Sequence, residues 1–227
     1  MDLPDMPGTI AIADRLDVLK LHGWIRRKDE KARQDLLVPL PYFGDLLLFL
    51  TDDRGPYCIN WTIKQDEKDF QRSVNLRSRV RNQQKDTRAA QARHAIEEQL
   101  YWDAGIRTVR FVAVTVPEKL DHNLRNLYLH HRSSNALDEA VERELADRLR
   151  ASLTTGEPPQ SILLAVTHRH GHDYQDVRQA FFRLLWERRI RVELIDEVVL
   201  VDRPLKPERN DVLQRFTHLF GREVYEK

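Results

Sequence analysis

At 227 residues the chain has room for one large domain or two small ones. Hydrophobic residues make up 41% of it and charged residues 32%, enough for packed cores inside a well-solvated exterior. Lys and Arg total 37 against 36 Asp and Glu, a net charge of +1, which excludes a uniformly basic nucleic-acid coat and leaves any DNA contact to local clustering.

In chain order, residues 10–19 (IAIADRLDVL) read as a short amphipathic helix, and 26–35 (RRKDEKARQD) as a charged connection. Two apolar β-type runs follow, 42–50 (YFGDLLLFL) and 57–63 (YCINWTI), joined by the turn signature TDDRGP. They predict an antiparallel hairpin. Residues 66–102 are polar, then helical, with Ala89, Ala92, Ile96, Leu100 and Tyr101 forming one buried face. Gly105 is the expected C-cap, 107–116 (RTVRFVAVTV) the next strand, and 119–131 a further helix. The order αββαβα suits a mixed sheet flanked by helices, an α/β domain over residues 1–132.

SSN at 133–135 reads as a linker to a second, α+β domain over 136–227. Helices are expected at 136–152, 160–167 and 174–188, with LTTGEPP and the loop HRHGHD between them and Asp173 as N-cap of the third. A tight hairpin over 190–202 (RVELI–DE–VVLV) completes a winged-helix plan.

The single cysteine, Cys58, excludes a disulfide framework and a Cys-rich zinc site. No apolar run reaches the roughly 18 residues of a membrane span, and MDLPDMPG is unlike a signal peptide. A cytoplasmic protein is expected.

Asp45 stands inside an otherwise apolar strand, and Lys64 ends the next one. Burying either charge alone is costly, so each is paired, exposed at the sheet edge, or binding something. Phosphodiester hydrolysis uses such a pair: a carboxylate holds Mg²⁺, the metal activates water, and an ammonium orients that water or neutralises the phosphate. Taken alone, an Asp and a Lys on adjacent strands more often form a surface ion pair.

Asp45 followed by Thr62-Ile63-Lys64 resembles the Asp…(Glu/Gln/Ser/Thr)-x-Lys pattern of restriction-endonuclease-like nucleases. TIAIADRLDVL, GDLLLFL, NWTIKQ and AIEEQLYWDAGIRTVRFVAVT are similar, in that order, to segments of the TnsA-type transposon endonucleases. The resemblance covers roughly residues 8–130, and the winged-helix region agrees with that family's second domain. It implies a restriction-endonuclease-like fold, Mg²⁺ or Mn²⁺ as cofactor, Asp45 as metal ligand and Lys64 as catalytic ammonium. Thr62 stands at the position of a second ligand, beside the Ile63 carbonyl, and Glu98 at that of a supporting acid on the following helix. His94 replaces a Lys of the relatives. The family's first metal-binding Glu lies upstream of TIAIAD, and this chain begins too late to contain it. Asp14 and Glu30 are nearby acids that do not match its position, so weak Mg²⁺ binding is expected.

The resemblance further implies cutting of double-stranded DNA at transposon ends, with a DDE-type transposase and an AAA+ ATPase regulator as partners. A catalytically silent adaptor bridging DNA, transposase and ATPase is the alternative. In the second domain, Arg178 and Arg183 lie on the outer face of the third helix, and Arg188, Arg189 and Arg191 form the best local phosphate cluster. Asp173, Asp176 and Glu187 mix that field, which favours protein docking by this domain over DNA reading. His168, His170 and His172 lack zinc spacing and read as a solvated loop, and His130-His131 as a helix end. Trp61 and Trp102 are expected in the first core and Trp186 in the second.

Overall fold

A computed structural model describes residues 7–29, 34–72, 83–130 and 137–222. The chain is of the mixed α/β class, with helices and, among the described residues, two small sheets. It divides into two compact units, Met1–Thr115 with Thr217–Lys227, and Val116–Phe216. The division falls at Thr115/Val116, ahead of the expected linker at 133–135, which lies outside the described residues.

In the first unit, α1 (Thr9–Arg15) stops early because Asp17 takes a left-handed φ of 55°. Residues 26–35 are not a plain connection. β1 (Trp24–Asp29) and β2 (Gln34–Pro39) pair antiparallel from Trp24↔Pro39 to Asp29↔Gln34. The charge run had concealed strands whose backbone bonds are satisfied across the pair. The expected hairpin is present as β3 (Leu46–Asp52) and β4 (Gly55–Lys64), in register from Leu46↔Trp61 to Asp52↔Gly55. Gly55 takes a φ of 102° at the turn, which only glycine adopts without strain. β5 (Arg107–Val112) joins β4 in parallel, giving the order β3-β4-β5. The crossover between β4 and β5 carries α2 (Gln83–Asp103), as parallel pairing requires.

Two stripes of α2 are buried. Ile96 and Leu100 pack with Ile12, Ala13 and Tyr42, while Tyr101 meets Cys58 and Ile106. The buried alanines are Ala90 and Ala92, with Ala89 half-buried. Trp102 is 63% exposed, against expectation, because it lies off both stripes. Trp61 does pack, stacked on Phe111 at 5.0 Å between ring centroids. Its indole donates to the Leu219 carbonyl of α8 (Thr217–Phe220), which follows α7 (Val212–Arg215) of the other unit. Arg222 clamps Asp52 through two 2.7 Å bonds and holds that carboxylate below its ordinary range.

The second unit is built on α3 (Glu118–His130), α4 (Glu139–Thr155), α5 (Pro159–His170) and α6 (Tyr174–Trp186). α3 belongs here and not to the first unit, because Leu120 and Leu127 enter the core of Leu145, Leu149, Ile162 and Phe181. Asp173 caps α6 as expected, accepting from the Gln175 N–H at 2.7 Å. α5 runs on to His170, so His168 and His170 lie in its last turn, and His131 is outside the described residues. Trp186 is only partly covered, edge-on to Tyr128.

Residues 190–202 form no hairpin. Their only ladder contact is an isolated bridge, Val192↔Pro207. Two buried polar side chains hold the segment instead. Asn123 donates to the carbonyls of Leu194 (2.8 Å) and Glu197 (2.7 Å) and accepts from the Val199 N–H (2.9 Å). Glu193 accepts from the N–H groups of Ile195, Asp196 and Arg209.

Candidate active site

The antiparallel register brings the two charges singled out in the sequence together. Asp45 immediately precedes β3 and Lys64 ends β4, and the Lys64 ammonium donates to Asp45 Oδ2 at 3.1 Å. The same ammonium donates to the Ile63 carbonyl at 2.9 Å, and the Ile63 N–H donates to Asp45 Oδ2 at 2.7 Å. A positive charge therefore sits where a carboxylate and a main-chain carbonyl converge. The pair is half-exposed, so its own contribution to stability is small.

Even-numbered residues of β4 face α2. Cys58 meets Tyr101 at the apolar end, while Asn60 and Thr62 meet Glu97 at the polar end. The acid of α2 that faces β4 is thus Glu97, the neighbour of Glu98. Glu97 is 2% exposed and accepts from the Thr62 hydroxyl and, at 3.2 Å, from Asn60 Nδ2. Glu98 turns outward to pair with Arg110 at 2.7 Å. Both of these donors are neutral, and burial pushes the Glu97 carboxyl above the ordinary range, with Asp45 adding to the rise. Thr62 is committed to Glu97 as a donor.

One turn before Glu97, His94 is also buried, packed against Phe70 at 5.3 Å between ring centroids, with Nε2 lacking a hydrogen-bond partner. Burial, with the charges of Arg93, Arg110 and Lys64 behind it, pushes the imidazole down to about 4. It is neutral at pH 7. The chain matches no family model, no curated protein and no solved structure.

Of the other acids, Asp14 is exposed on α1, and Glu30 lies outside the described residues. Among the described residues no three His, Cys, Asp or Glu side chains converge closely enough to hold a metal ion. A smaller oxygen set does fit Mg²⁺, which keeps several waters and is commonly held by one or two carboxylates plus substrate phosphates. That set is Asp45 and the Ile63 carbonyl, which meet at the Lys64 ammonium, with the Glu97 carboxylate bonded to Thr62 on the same strand. The observation favouring it is the Lys64 ammonium, which stands in for a cation between the first two.

Glu97 was missed in the sequence because a carboxylate on a polar helix reads as solvated. The signal was there in the stripe Ala90-His94-Glu97-Tyr101, which recurs at helical spacing and includes two residues able to bury apolar surface.

Gly44 sets the approach of the Asp45 segment to β4. A Cβ built on it would lie 1.6 Å from Asn60 Oδ1, on a side chain that is fully buried. Gly44→Ala is therefore expected to cost about 1–3 kcal/mol through overpacking. It should also pull Asn60 from Glu97. Denaturant titration measures the first effect, and an unchanged midpoint would refute it.

The arginines considered for DNA are mostly engaged. Arg183 and Arg189 both pair with Glu142, and Arg188 and Arg191 both pair with Glu208 and Asp211. Arg178 lies over the Phe182 ring at 5.0 Å.

Proposed function

We propose that the chain is a Mg²⁺-dependent DNA endonuclease, a TnsA-like subunit that hydrolyses one phosphodiester at each transposon end alongside a DDE-type transposase and an AAA+ ATPase regulator. The observation that carries the reading is the meeting of Asp45 and Lys64 at the end of the β3–β4 pair, with the buried Glu97 bonded to Thr62 two residues before Lys64. The first unit, with β3-β4-β5 and its α2 crossover, is taken as a restriction-endonuclease-like core. The second, whose helices lead into an ordered loop where a wing was expected, is taken as a winged-helix variant suited to docking the regulator.

When bound, Mg²⁺ or Mn²⁺ supplies Lewis-acid stabilisation of charge on the phosphate. Asp45 and Glu97 would furnish its anionic ligands, and the Ile63 carbonyl a neutral one. Lys64, released from Asp45, places its ammonium on the phosphate oxygens. His94, neutral at pH 7, adds no positive charge that would oppose a cation.

Lys64→Ala is expected to lower Mg²⁺-dependent cleavage by about 10²-fold, the scale for losing one charge-stabilising group. Folding should be preserved, because the side chain fills no core. Nicking of transposon-end duplex is scored with the transposase present. Cleavage at the wild-type rate would remove this site from consideration. The second reading, a silent adaptor, is favoured by one observation: Asp45 is already satisfied by Lys64 and the Ile63 N–H. It expects DNA binding without cleavage at any Mg²⁺ or Mn²⁺ concentration.

A further inference from the structure

Among the described residues, β1 and β2 form a two-stranded sheet that pairs with no other strand. An isolated pair of strands is marginal in water, so such a ribbon ordinarily belongs against something. Its described side chains from Trp24 to Lys28 and from Asp35 to Leu37 are all exposed, Leu37 at 61%.

The faces indicate what it belongs against. Directly paired residues share a face, so Arg26 lies with Leu37 on one side and Arg27 with Leu36 on the other. A ribbon destined for a protein core keeps one face free of charge. Here both faces carry cations. Arg26, Arg27 and Lys28 have no ion-pair partner among the described residues, and Asp35, across from Lys28, forms no ion pair with it. Of the five second-unit arginines considered for DNA, four are spent on carboxylates. Among the described residues, Arg26, Arg27 and Lys28 form a cationic cluster without an ion pair, and it is on the ribbon.

Position agrees with this. The base of the ribbon is tied to the segment that delivers Asp45: the Leu40 N–H donates to the Gly23 carbonyl at 2.9 Å, and the Gly23 N–H to the Tyr42 hydroxyl at 2.6 Å. Strands of this length reach about 20 Å at roughly 3.3 Å per residue. A two-stranded ribbon fits the major groove, about 12 Å wide.

We propose that the β1–β2 ribbon is a duplex-DNA contact, with Arg26, Arg27 and Lys28 on backbone phosphates, holding the duplex against the Asp45–Lys64 end of the sheet. The inference rests on the reading of the chain as a DNA-acting protein.

The test uses the full chain, a fluorescent transposon-end duplex and EDTA, with affinity followed by anisotropy over a salt series. R26Q/R27Q/K28Q is compared with R125Q/R143Q/R150Q, which removes the same charge from exposed helix positions in the second unit. The ribbon variant is expected to bind at least about tenfold more weakly and to flatten the salt slope by about 2–3, with the control unchanged. Equal losses in both variants would reduce the effect to net charge and overturn the assignment. Wild-type affinity in the ribbon variant would also overturn it, leave DNA binding itself intact, and turn Leu36 and Leu37 into a protein-docking face. No binding by the wild type would sink the DNA reading, and the ribbon with it.

Discussion

Replacing Glu97 with Gln is expected to lower cleavage by about 10³-fold while making the metal-free protein more stable at neutral pH. The two effects share one cause. A carboxylate that is 2% exposed and hydrogen-bonded to neutral donors is costly to ionise, and the cost is useful only if a cation is to be bound there. Gln keeps an oxygen able to accept from both Thr62 and Asn60, so packing is retained. Without Glu97, Asp45 is left as the sole carboxylate ligand, which weakens metal binding.

The pH dependence follows from the direction of the shift. Burial raises the folded carboxyl above the unfolded value of 4.5, so just above 4.5 the folded state keeps a proton that the unfolded state has released. Stability from this group is therefore full below 4.5, is lost as pH rises through the raised folded value, and stays lost above it. His94 acts in the opposite sense: its folded value is down at about 4, so its contribution is full above 6.5 and is lost as pH falls toward 4, on the order of 3 kcal/mol in all. Thermal melts of wild type and Glu97→Gln in EDTA should coincide below pH 4.5 and separate as pH rises, the variant melting higher. Adding Mg²⁺ at pH 8 should raise the wild type more than the variant, since it binds the ion more tightly. Parallel melting curves at every pH would show that Glu97 is not a strained carboxylate.

The candidate site was legible to the extent that charges stood out against their surroundings. Asp45 and Lys64 interrupt or end apolar strands, and a turn between those strands fixes their pairing, so their meeting at 3.1 Å was foreseeable. Glu97 lies among Arg93, Glu98 and Gln99, where charge is the background, and only the facing strand decides which acid turns inward. The ribbon was misread for the same reason. Its cations pushed WIRRKD toward a loop reading, although backbone pairing between two strands does not require that either face be apolar. The expected hairpin at 190–202 failed in the reverse direction. Its alternation is strand-like, yet the burial of Leu194, Ile195 and Val199 is achieved without a ladder, because side chains satisfy the backbone.

That substitution of side chain for ladder makes Asn123 a sensitive polar position in the second unit. Asn123 is 1% exposed and satisfies three main-chain groups of residues 194–199 from one amide, using both its donors and its acceptor. Asn123→Leu conserves volume but leaves two carbonyls and one N–H buried without partners. Each such orphan costs roughly 1–3 kcal/mol, so a loss of about 3 kcal/mol or more is expected after partial relaxation. Asn123→Asp should do no better, because a carboxylate turns an acceptor toward carbonyls that need a donor. The loss is local in origin, so the Val199 amide, which donates to Asn123, should lose its protection from hydrogen exchange. The Ile195 amide is held by Glu193 and should keep most of its protection in Asn123→Leu, which separates loss of this bond from general unfolding. If Val199 stays protected and the denaturation midpoint does not move, the segment is held by burial of Leu194, Ile195 and Val199 alone, and the amide is incidental to it.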